Sequence, residues 1–279
     1  MVTISDKRIR NDSFIDSFDL ISYLEEKAIN HNWYKYYSRR EYIENILNTH
    51  SVYLSNGDNW NDKTDKDSFG DKSAGYTNFG LCLSFSKSEN ISMWMLYSGN
   101  GGLMLDYDRA TIKKILDASI IELGFFDGEL FRTVKTLSGK GEEFVIKLAD
   151  IIYYGDGEKT GTYYIKRSDE SQDSFSKSII DDVKVFKKKT AWSYENETRI
   201  VVSVKNELID DTIKSVKIVF PEANVSDLRK RTYDSPNAII KKYEDSRFKG
   251  KINWDLCKDC KDKYKLNGCK ERIIEGAEK

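Results

Sequence analysis

The pattern of apolar and polar positions predicts a chain in which strands and helices alternate. Apolar residues spaced three or four apart favour amphipathic helices, whereas short β-branched or aromatic runs favour strands. The predicted helices cover residues 13–28, 38–47, 90–97, 109–116, 142–152 and 175–186, and a last one opens at Ser235-Pro236. The predicted strands cover residues 33–37, 51–55, 79–85, 199–204 and 216–220. This order indicates an α+β fold, with mixed sheets and flanking helices.

Local signals set some of the boundaries. Ser38 followed by Glu41 is a capping-box pattern that predicts the start of a helix, and Asp108 is a natural N-cap for the helix at 109–116. Residues 56–76 are rich in Asn, Asp, Gly and Lys. That composition predicts a long mobile loop, and long loops inside compact domains are often functional.

The length bounds the organisation of the chain. It has 279 residues, of which 39% are hydrophobic, enough for one sizeable core or two small ones. No internal repeat is visible. We therefore divide the chain into an N-terminal helical extension at 1–30, a single α+β domain at 31–250 and a cysteine-containing C-terminal tail at 251–279.

Charge and hydropathy limit the classes of binding partner that we expect for this chain. With 45 Lys and Arg against 46 Asp and Glu, the net charge gives no global attraction to nucleic acid or to a membrane surface. No apolar run approaches the roughly 18 residues that a membrane span needs. The polar start at residues 1–11 also lacks the apolar core of a secretion signal. We expect a cytoplasmic protein.

Two short polar stretches carry the candidate chemistry. In extended structure, residues two apart share a face, so Ser84 and Ser86 would present two hydroxyls together, and Glu195 and Glu197 two carboxylates. Arg199 extends the second face. Because unpaired charges are costly to bury, these groups must line a site or face solvent. The simpler alternative is the solvated face of an edge strand, with Glu197 and Arg199 paired.

Aromatic residues near these stretches have two interpretations. Trp94 and Tyr97 stand at helical spacing, which favours a place in the core over ligand stacking. Trp192 comes just ahead of the acidic stretch, where an aromatic ring can wall a nucleotide pocket. Trp192 is therefore a candidate ligand contact.

Other reactive residues receive modest roles. The run Lys187–Lys189 is most simply a solvated helix end, although it would be the docking patch if a polyanionic target is modified. His31 and His50 have no cysteine or carboxylate at useful spacing, so neither is assigned to catalysis. Cys82 lies in an apolar strand and is expected to be a buried thiol.

The tail holds a cysteine cluster. Cys257 and Cys260 form a C-x2-C half-site for zinc, and Cys269 supplies a third ligand. The fourth would have to be Asp255, Asp259, a distant histidine or a water. Stable disulfides are disfavoured in the cytosol, which leaves structural zinc, free thiols and a redox pair as the alternatives.

Taken together, the stretches Met93–Tyr97 (Met-Trp-x-x-Tyr) and Trp192–Arg199 (Trp-x-Tyr-Glu-x-Glu-x-Arg) resemble the bacterial domain of unknown function family 2971. The resemblance spans roughly residues 33–220. The chain departs from the family at Asn61-Asp62, where Lys63 follows instead of proline, so the tight turn of the family is in doubt there. Members are often encoded near phage-defence and abortive-infection genes, which implies a defence or toxin role.

A second, more remote resemblance is to ADP-ribosyltransferases. These enzymes present a basic or aromatic residue on a first strand, a Ser-x-Ser strand in the middle and a late glutamate. Here Tyr34-Lys35, Ser84-Phe85-Ser86 and Glu195-Asn196-Glu197 come in that order, so an ADP-ribosyltransferase-like core is compatible with the chain. The resemblance implies NAD as substrate, because cleaving the nicotinamide–ribose bond builds positive charge that a carboxylate stabilises.

The same resemblance assigns roles to the residues. Glu197 would stabilise the ribosyl cation and Glu195 would orient or deprotonate the acceptor. The remaining assigned groups would bind the dinucleotide. Ser84 or Ser86 would position the nicotinamide–ribose half, and Tyr34 or Lys35 would contact the phosphates or the ring. Arg39 or Arg40 would bind the diphosphate at a helix start, and Trp192 and Arg199 would complete the binding site.

Three function classes follow from these patterns. The first is an NAD-consuming ADP-ribosyltransferase-like toxin or phage-defence effector, with a macromolecular acceptor or a phage-derived trigger. The second is a non-catalytic defence module that binds a nucleotide or a phage component. The third is a metal-dependent nuclease using Glu195, Glu197 and Asp106, which is disfavoured because no lysine accompanies those acids at the usual spacing.

Overall fold

The computed structural model describes residues 2–3, 25–26, 28–85, 91–98, 102–154, 184–221, 228 and 232–234. Thirteen strands lie in this part of the chain. They form a ten-stranded antiparallel sheet and a three-stranded parallel one. The strands are β1 Val2–Thr3, β2 Trp33–Tyr37, β3 Ser51–Ser55, β4 Tyr76–Ser84, β5 Leu103–Tyr107, β6 Ile121–Asp127, β7 Leu130–Leu137, β8 Phe144–Asp150, β9 Ile152–Tyr154, β10 Lys187–Lys189, β11 Glu197–Lys205, β12 Ser215–Val219 and β13 Thr232–Asp234.

The helical elements are short. The α-helices are α1 Arg40–Thr49, α2 Lys63–Gly70, α3 Ile91–Met93 and α4 Arg109–Leu116, and a π-helical turn, Trp94–Ser98, follows α3 directly. Three 3₁₀ turns cover Lys184–Phe186, Thr190–Glu195 and Asn206–Leu208. Within the described ranges, none of the helices has the length and apolar content needed to cross a membrane.

Strand β4 organises the large sheet. One edge of β4 pairs with β11 over its whole length, from Ser84 opposite Glu197 to Tyr76 opposite Lys205. The other edge meets β2 at Ser84 and β3 at Gly80. The sheet continues through β5 and β13 on one side and through β12, β6 and β7 on the other, while β8 pairs with the far edge of β11. A large antiparallel sheet with a few helices confirms the predicted α+β class.

The two faces of β4 and β11 differ in character, because side chains alternate along a strand. One face packs into the main apolar core with helices α1 and α4. The core residues from these elements are Phe79, Leu81, Leu83, Ile200, Val202 and Val204 from the strands and Ile43, Ile46, Leu47, Ile112 and Ile115 from the helices. The opposite face carries Cys82 and Ser84 on β4 and Glu197 and Arg199 on β11. The candidate chemistry therefore lies on the face away from the main core.

The helix predicted at 142–152 is wrong, because this segment forms β8. Its residues pair with β11 from Phe144 opposite Val204 to Asp150 opposite Thr198. Phe144, Ile146 and Leu148 recur every second residue, as in a strand. Phe144 and Leu148 are also four residues apart, as in a helix, so the pattern fits both structures. The antiparallel pairing with a distant strand decides between them, and a local pattern does not contain that information.

The loop predicted at 56–76 contains helix α2. Asp62 takes the N-cap position, and its Oδ1 accepts a hydrogen bond of 2.9 Å from the backbone N–H of Thr64. Phe69 is the one buried apolar side chain of the helix. So small an apolar content gives little periodicity, which is why the polar composition suggested a loop.

Two helix starts were predicted from capping residues, with opposite outcomes. Helix α1 begins at Arg40, and Arg39 holds the N-cap position without a side-chain cap, so the capping box at Ser38 does not form. Asp108 caps α4 as predicted, and its Oδ1 accepts a hydrogen bond of 2.6 Å from the Thr111 N–H.

Several predicted segments lie outside the described residues. They include most of the helix predicted at 13–28, residues 175–183 of the helix predicted at 175–186, the helix predicted at Ser235 and the whole tail at 251–279. The helix predicted at 90–97 corresponds to α3 and the π turn, and the five strands predicted elsewhere are all present.

Candidate functional site

A cavity of about 290 Å³ lies against the polar face where β2, β4 and β11 meet. Glu197 on β11 is directly opposite Ser84 on β4, and Ser84 is directly opposite Tyr34 on β2. Directly opposed residues in antiparallel strands project from the same face. The three residues therefore form one row across three strands, and all three line the cavity.

Most of the residues predicted for catalysis or dinucleotide binding come together here. The cavity is lined by six of them, namely Tyr34, Lys35, Ser84, Trp192, Glu195 and Glu197. Arg199 is fully buried and does not line the cavity, and Arg40 is exposed at the first position of α1. Ser86 and the tail cysteines Cys257, Cys260 and Cys269 lie outside the described residues.

The two glutamates reach the cavity in an unexpected way. They were predicted to share one face of a strand, but Glu195 ends a 3₁₀ turn and only Glu197 belongs to β11. Between them Asn196 is left-handed, with φ 43°, a conformation that Asn tolerates better than most residues. This sharp turn directs both carboxylates to one lysine.

That lysine is Lys188, which was predicted to be part of a solvated helix end. The segment is instead β10, parallel to β9, and the Lys188 side chain is only 8% exposed. Its Nζ lies 2.6 Å from Glu195 Oε2, 3.3 Å from Glu197 Oε2 and 3.4 Å from Asp65 Oδ2. A run of three lysines gives no sign that strand alternation buries the middle one.

Arg199 is buried behind the cavity and binds two of the carboxylates that line it. Its Nε donates a hydrogen bond of 2.8 Å to Glu197 Oε1, and its Nη atoms bind both carboxylate oxygens of Asp65 at 2.8 Å. The pairing of Glu197 with Arg199 was one of the predicted alternatives and is confirmed. The edge-strand part of that alternative is wrong, because β11 is flanked by β4 and β8 and both side chains are buried.

Aromatic rings cover Arg199. The guanidinium carbon lies 5.1 Å from the Trp60 ring centroid and 5.3 Å from that of Phe69, within the range of cation–π attraction. Gly80 makes this approach feasible, because a Cβ atom at that position would lie 2.8 Å from atoms of both rings. Helix α2 therefore packs directly on the sheet and brings Asp65 to Arg199.

The charges of this network do not balance. Three carboxylates, from Asp65, Glu195 and Glu197, face two cations, from Lys188 and Arg199. With every group ionised the buried cluster carries one net negative charge, which is costly in a low-dielectric site. One bound proton removes that charge.

Glu195 is the group that most readily takes up and releases this proton near neutral pH. Burial and the nearby charge of Glu197 raise the pKa of Glu195 to about 7, although Lys188 and the Tyr97 hydroxyl act in the opposite direction. Burial alone would also raise the pKa of Glu197, but Arg199 and Lys188 outweigh it and hold that pKa well below the usual range. Two neighbouring carboxyls thus differ in pKa, the usual arrangement for an acid–base group beside a charge stabiliser.

Tyr97 completes the environment of Glu195. It belongs to the π turn, and its hydroxyl donates a short hydrogen bond to Glu195 Oε1. Tyr97 lines the cavity and is therefore a site residue, whereas Trp94 is buried against Tyr36 and Met104 as predicted for the core.

Cys82 also lines the cavity and is partly buried rather than fully buried as expected, and its environment disfavours a nucleophilic role. Burial and the charge of Glu197 raise the pKa of the thiol, and the thiolate is the reactive form of cysteine. The chemistry of the cavity therefore belongs to its carboxyl groups.

The nuclease alternative does not fit the geometry. Asp106 lies opposite Tyr34 on β5, three strands from Glu197, which is roughly 14 Å at the usual strand spacing. Residues that far apart do not share one metal ion. Within the described ranges, no group of three or more His, Cys, Asp or Glu side chains is arranged to hold a metal.

His31 has a carboxylate partner that its sequence neighbours did not reveal. Its Nε2 lies 2.8 Å from Asp150 Oδ2, and Thr198 Oγ1 donates a hydrogen bond of 2.6 Å to Asp150 Oδ1. The ring stacks on Phe85 at 4.1 Å. The expectation that no carboxylate pairs with His31 is wrong, because Asp150 is distant in the sequence and arrives through β8. The contact satisfies a fully buried carboxylate and lies outside the cavity.

Several further residues that line the cavity were not predicted as site residues, among them Trp60, Asp62, Asp65, Tyr97 and Lys188. The first three come from the stretch that was predicted to be a loop. The length of this stretch was the signal that could have found them, because long loops inside compact domains are often functional.

Comparison with known proteins agrees with the motifs. Residues 93–200 match the family described as protein of unknown function (DUF2971). The matched segment contains both motif stretches, Met93–Tyr97 and Trp192–Arg199, and supports the predicted family resemblance over this part of the chain. No curated protein and no solved structure matches the chain.

Proposed function

We propose that this protein consumes NAD, as an ADP-ribosyltransferase or an NAD glycohydrolase. The observation that carries the proposal is the row of Glu197, Ser84 and Tyr34 across three adjacent strands at one cavity. Glu195, with its pKa near neutrality, stands beside the row. These are the groups, in the same order along the chain, to which the ADP-ribosyltransferase resemblance assigns the cleavage of a nicotinamide–ribose bond.

The proposed mechanism divides the work between the two glutamates. As the bond from the ribose C1′ to the nicotinamide nitrogen breaks, positive charge develops on the ribose, and the ionised Glu197 stabilises it. Nicotinamide leaves with the bonding electron pair. Glu195 then takes a proton from the attacking hydroxyl of water or of an acceptor, which suits a carboxyl whose pKa is close to the working pH.

The cavity is suited to the nicotinamide half of the dinucleotide. Small-molecule sites usually measure about 300–1,000 Å³, and a cavity of about 290 Å³ accommodates one half of NAD more readily than the whole. The nicotinamide ring of NAD is a cation, and rings such as Tyr34 and Trp192 attract cations through their faces. Lys35, at the same cavity, is the candidate phosphate contact.

Release of free nicotinamide tests the proposal directly. The wild-type chain incubated with NAD should liberate nicotinamide, and Glu197→Gln should reduce the rate by at least about 100-fold, a typical loss for an electrostatic catalytic group. Glu207→Gln is the matched control, because Glu207 is an exposed glutamate beyond the end of β11. Equal release by the wild type and Glu197→Gln ends the catalytic assignment.

A binding module without catalysis is the second candidate. It is favoured by the engagement of both Glu197 carboxylate oxygens, Oε1 by Arg199 and Oε2 by Lys188. A nucleotide-binding sensor would be stabilised by NAD without releasing nicotinamide. Thermal melting with NAD, alongside the release assay, separates the two candidates, because ligand that binds only the folded state raises Tm.

The biological setting belongs to the same proposal. The family resemblance supports a cytoplasmic toxin or phage-defence effector with a macromolecular acceptor or a phage-derived trigger. We retain zinc binding by Cys257, Cys260 and Cys269 as a proposal. Zinc analysis of the purified chain should find about one equivalent, and Cys257→Ser together with Cys260→Ser should abolish it.

A further inference from the structure

Asp62 is a cavity residue that the proposed mechanism leaves without a role. It lies at the N-cap of α2 and lines the cavity. Its Oδ1 accepts the hydrogen bond from the Thr64 N–H at 2.9 Å. Its Oδ2 is buried and has no hydrogen-bond partner among the residues that the structure describes.

An unpaired carboxylate oxygen in this position is unusual. The residue is only 8% exposed, and a buried polar atom without a partner is destabilising unless something binds it. The other acids at this cavity each have a cationic partner: Asp65 and Glu197 contact Arg199 and Lys188, and Glu195 contacts Lys188. Asp62 therefore differs from its neighbours, because its Oδ2 accepts no hydrogen bond from a described residue.

The segment around Asp62 supports a ligand contact. Asn59, Trp60 and Asn61 line the same cavity, so a flat ring and two amides accompany the carboxylate. The segment is held in place: Trp60 Nε1 donates a hydrogen bond of 2.9 Å to Ser55 Oγ, and the cap at Thr64 fixes the start of α2. A ligand group that meets Asp62 thus meets a preorganised acceptor.

We propose that Asp62 Oδ2 accepts a hydrogen bond from a hydroxyl of the ribose attached to nicotinamide. The inference rests on the proposed function, since it assumes that the nicotinamide half occupies the cavity. A carboxylate oxygen accepts and never donates when ionised, and the sugar hydroxyls are the neutral donors next to the bond that breaks. Asp62 is then a specificity residue that distinguishes a ribosylated pyridinium from the bare ring.

The test compares two cationic probes, nicotinamide riboside and 1-methylnicotinamide. Both carry the same pyridinium charge, so loss of a negative charge at residue 62 weakens both alike, and only the riboside offers hydroxyls. Binding is measured by calorimetry or by the fluorescence of Trp60 and Trp192. The wild type should prefer the riboside by about 10- to 100-fold, the range of a hydrogen bond to a charged group.

Asp62→Asn is the informative variant. Asparagine is as good an N-cap as aspartate, so Tm should stay close to the wild-type value, but an amide nitrogen replaces Oδ2 and cannot accept. The preference for the riboside should fall to within about threefold. Asp62→Ser, which also caps a helix, should behave in the same way.

Asp108→Asn is the matched control, because Asp108 caps α4 through its Oδ1 and does not line this cavity. This variant should keep the full preference. If Asp62→Asn also keeps it while both probes bind, the role of Asp62 is overturned and the proposed function stands. If neither probe binds the wild type, the nicotinamide half does not occupy the cavity, and both proposals are overturned.

Discussion

Lys188 Nζ lies 2.6 Å from Glu195 Oε2, in a pair that is almost completely buried. The lysine comes from the three-stranded parallel sheet, whereas Glu195 precedes the first residue of β11 in the large sheet. The same ammonium group also contacts Glu197 and Asp65. One cation therefore joins two sheets and helix α2 at the cavity.

Replacing Lys188 by methionine should strongly destabilise the fold. The change leaves buried carboxylates without one of their cations, and breaking a buried pair in this way typically costs about 3–5 kcal/mol. Urea unfolding measures the loss. Lys189→Met, at the exposed neighbouring position of β10, should change the free energy of unfolding by no more than about 0.5 kcal/mol. Similar small effects for both variants would contradict the network described here.

The stability should depend on pH through Glu195. The pKa of this group is about 7 in the folded protein against an ordinary 4.5, so the folded state holds more protons than the unfolded state between those values. The free energy of unfolding should therefore fall as the pH rises through this window, by up to about 1.4 kcal/mol per pH unit. Glu197 acts in the opposite sense at lower pH, because its depressed pKa makes stability fall as it becomes protonated.

Glu195→Gln isolates this contribution. The variant has no proton to lose at residue 195, so the difference in stability between it and the wild type should change steadily from pH 4.5 to 7. Taking the difference cancels the titration of groups that the two proteins share. A difference that stays constant across the window would show that Glu195 titrates normally.

Tyr97→Phe should raise the pKa of Glu195 further. The Tyr97 hydroxyl donates to Glu195 Oε1 and favours its ionised form, so its removal favours the protonated acid. We expect an alkaline shift of about one pH unit or more in the pH profile of nicotinamide release. The infrared band of the protonated carboxyl, identified by its loss in Glu195→Gln, gives the same information without activity. Tyr42→Phe, at an exposed position of α1, should leave both unchanged, and an unshifted band in Tyr97→Phe would refute the coupling.

Gly80→Ala should loosen the aromatic cover of Arg199. Its added Cβ would meet the rings of Phe69 and Trp60 at 2.8 Å, and overpacking of this kind typically costs about 1–3 kcal/mol. The Trp60 fluorescence should also change as the ring moves. Gly70→Ala provides the comparison, because nothing lies within 4 Å of the added methyl group at the end of α2. We expect it to be neutral or slightly stabilising.

The sequence predicts much of the sheet because short apolar runs bounded by turn residues leave few alternatives. Strands β2 and β3 have the predicted limits, and α4 has the predicted cap. The segment at 144–150 was misjudged because its apolar residues fit two periods. Only the pairing of Asp150 with Thr198 and of its neighbours along β11 resolves the choice.

The residues of the candidate site also fall into two groups, those that local sequence pattern predicts and those that only long-range contacts reveal. Ser84 and Glu197 could be found from local pattern, because each stands at the end of an apolar strand with a polar face. Lys188 and Asp65 could not, since their roles depend on contacts with residues far along the chain. A lysine run and a polar loop look solvated until the fold brings opposite charges to them.

The small parallel sheet extends the support of the cavity to the first residues of the chain. Thr3 is aligned with Tyr153, and Tyr153 is aligned with Lys188 on the other side. The Tyr153 hydroxyl in turn accepts the hydrogen bond from the Glu197 backbone N–H. Displacing residues 2–3 would therefore expose an edge of β9. It would also disturb the backbone of β9 and β10, which positions the Lys188 ammonium group and, through Tyr153, its partner Glu197.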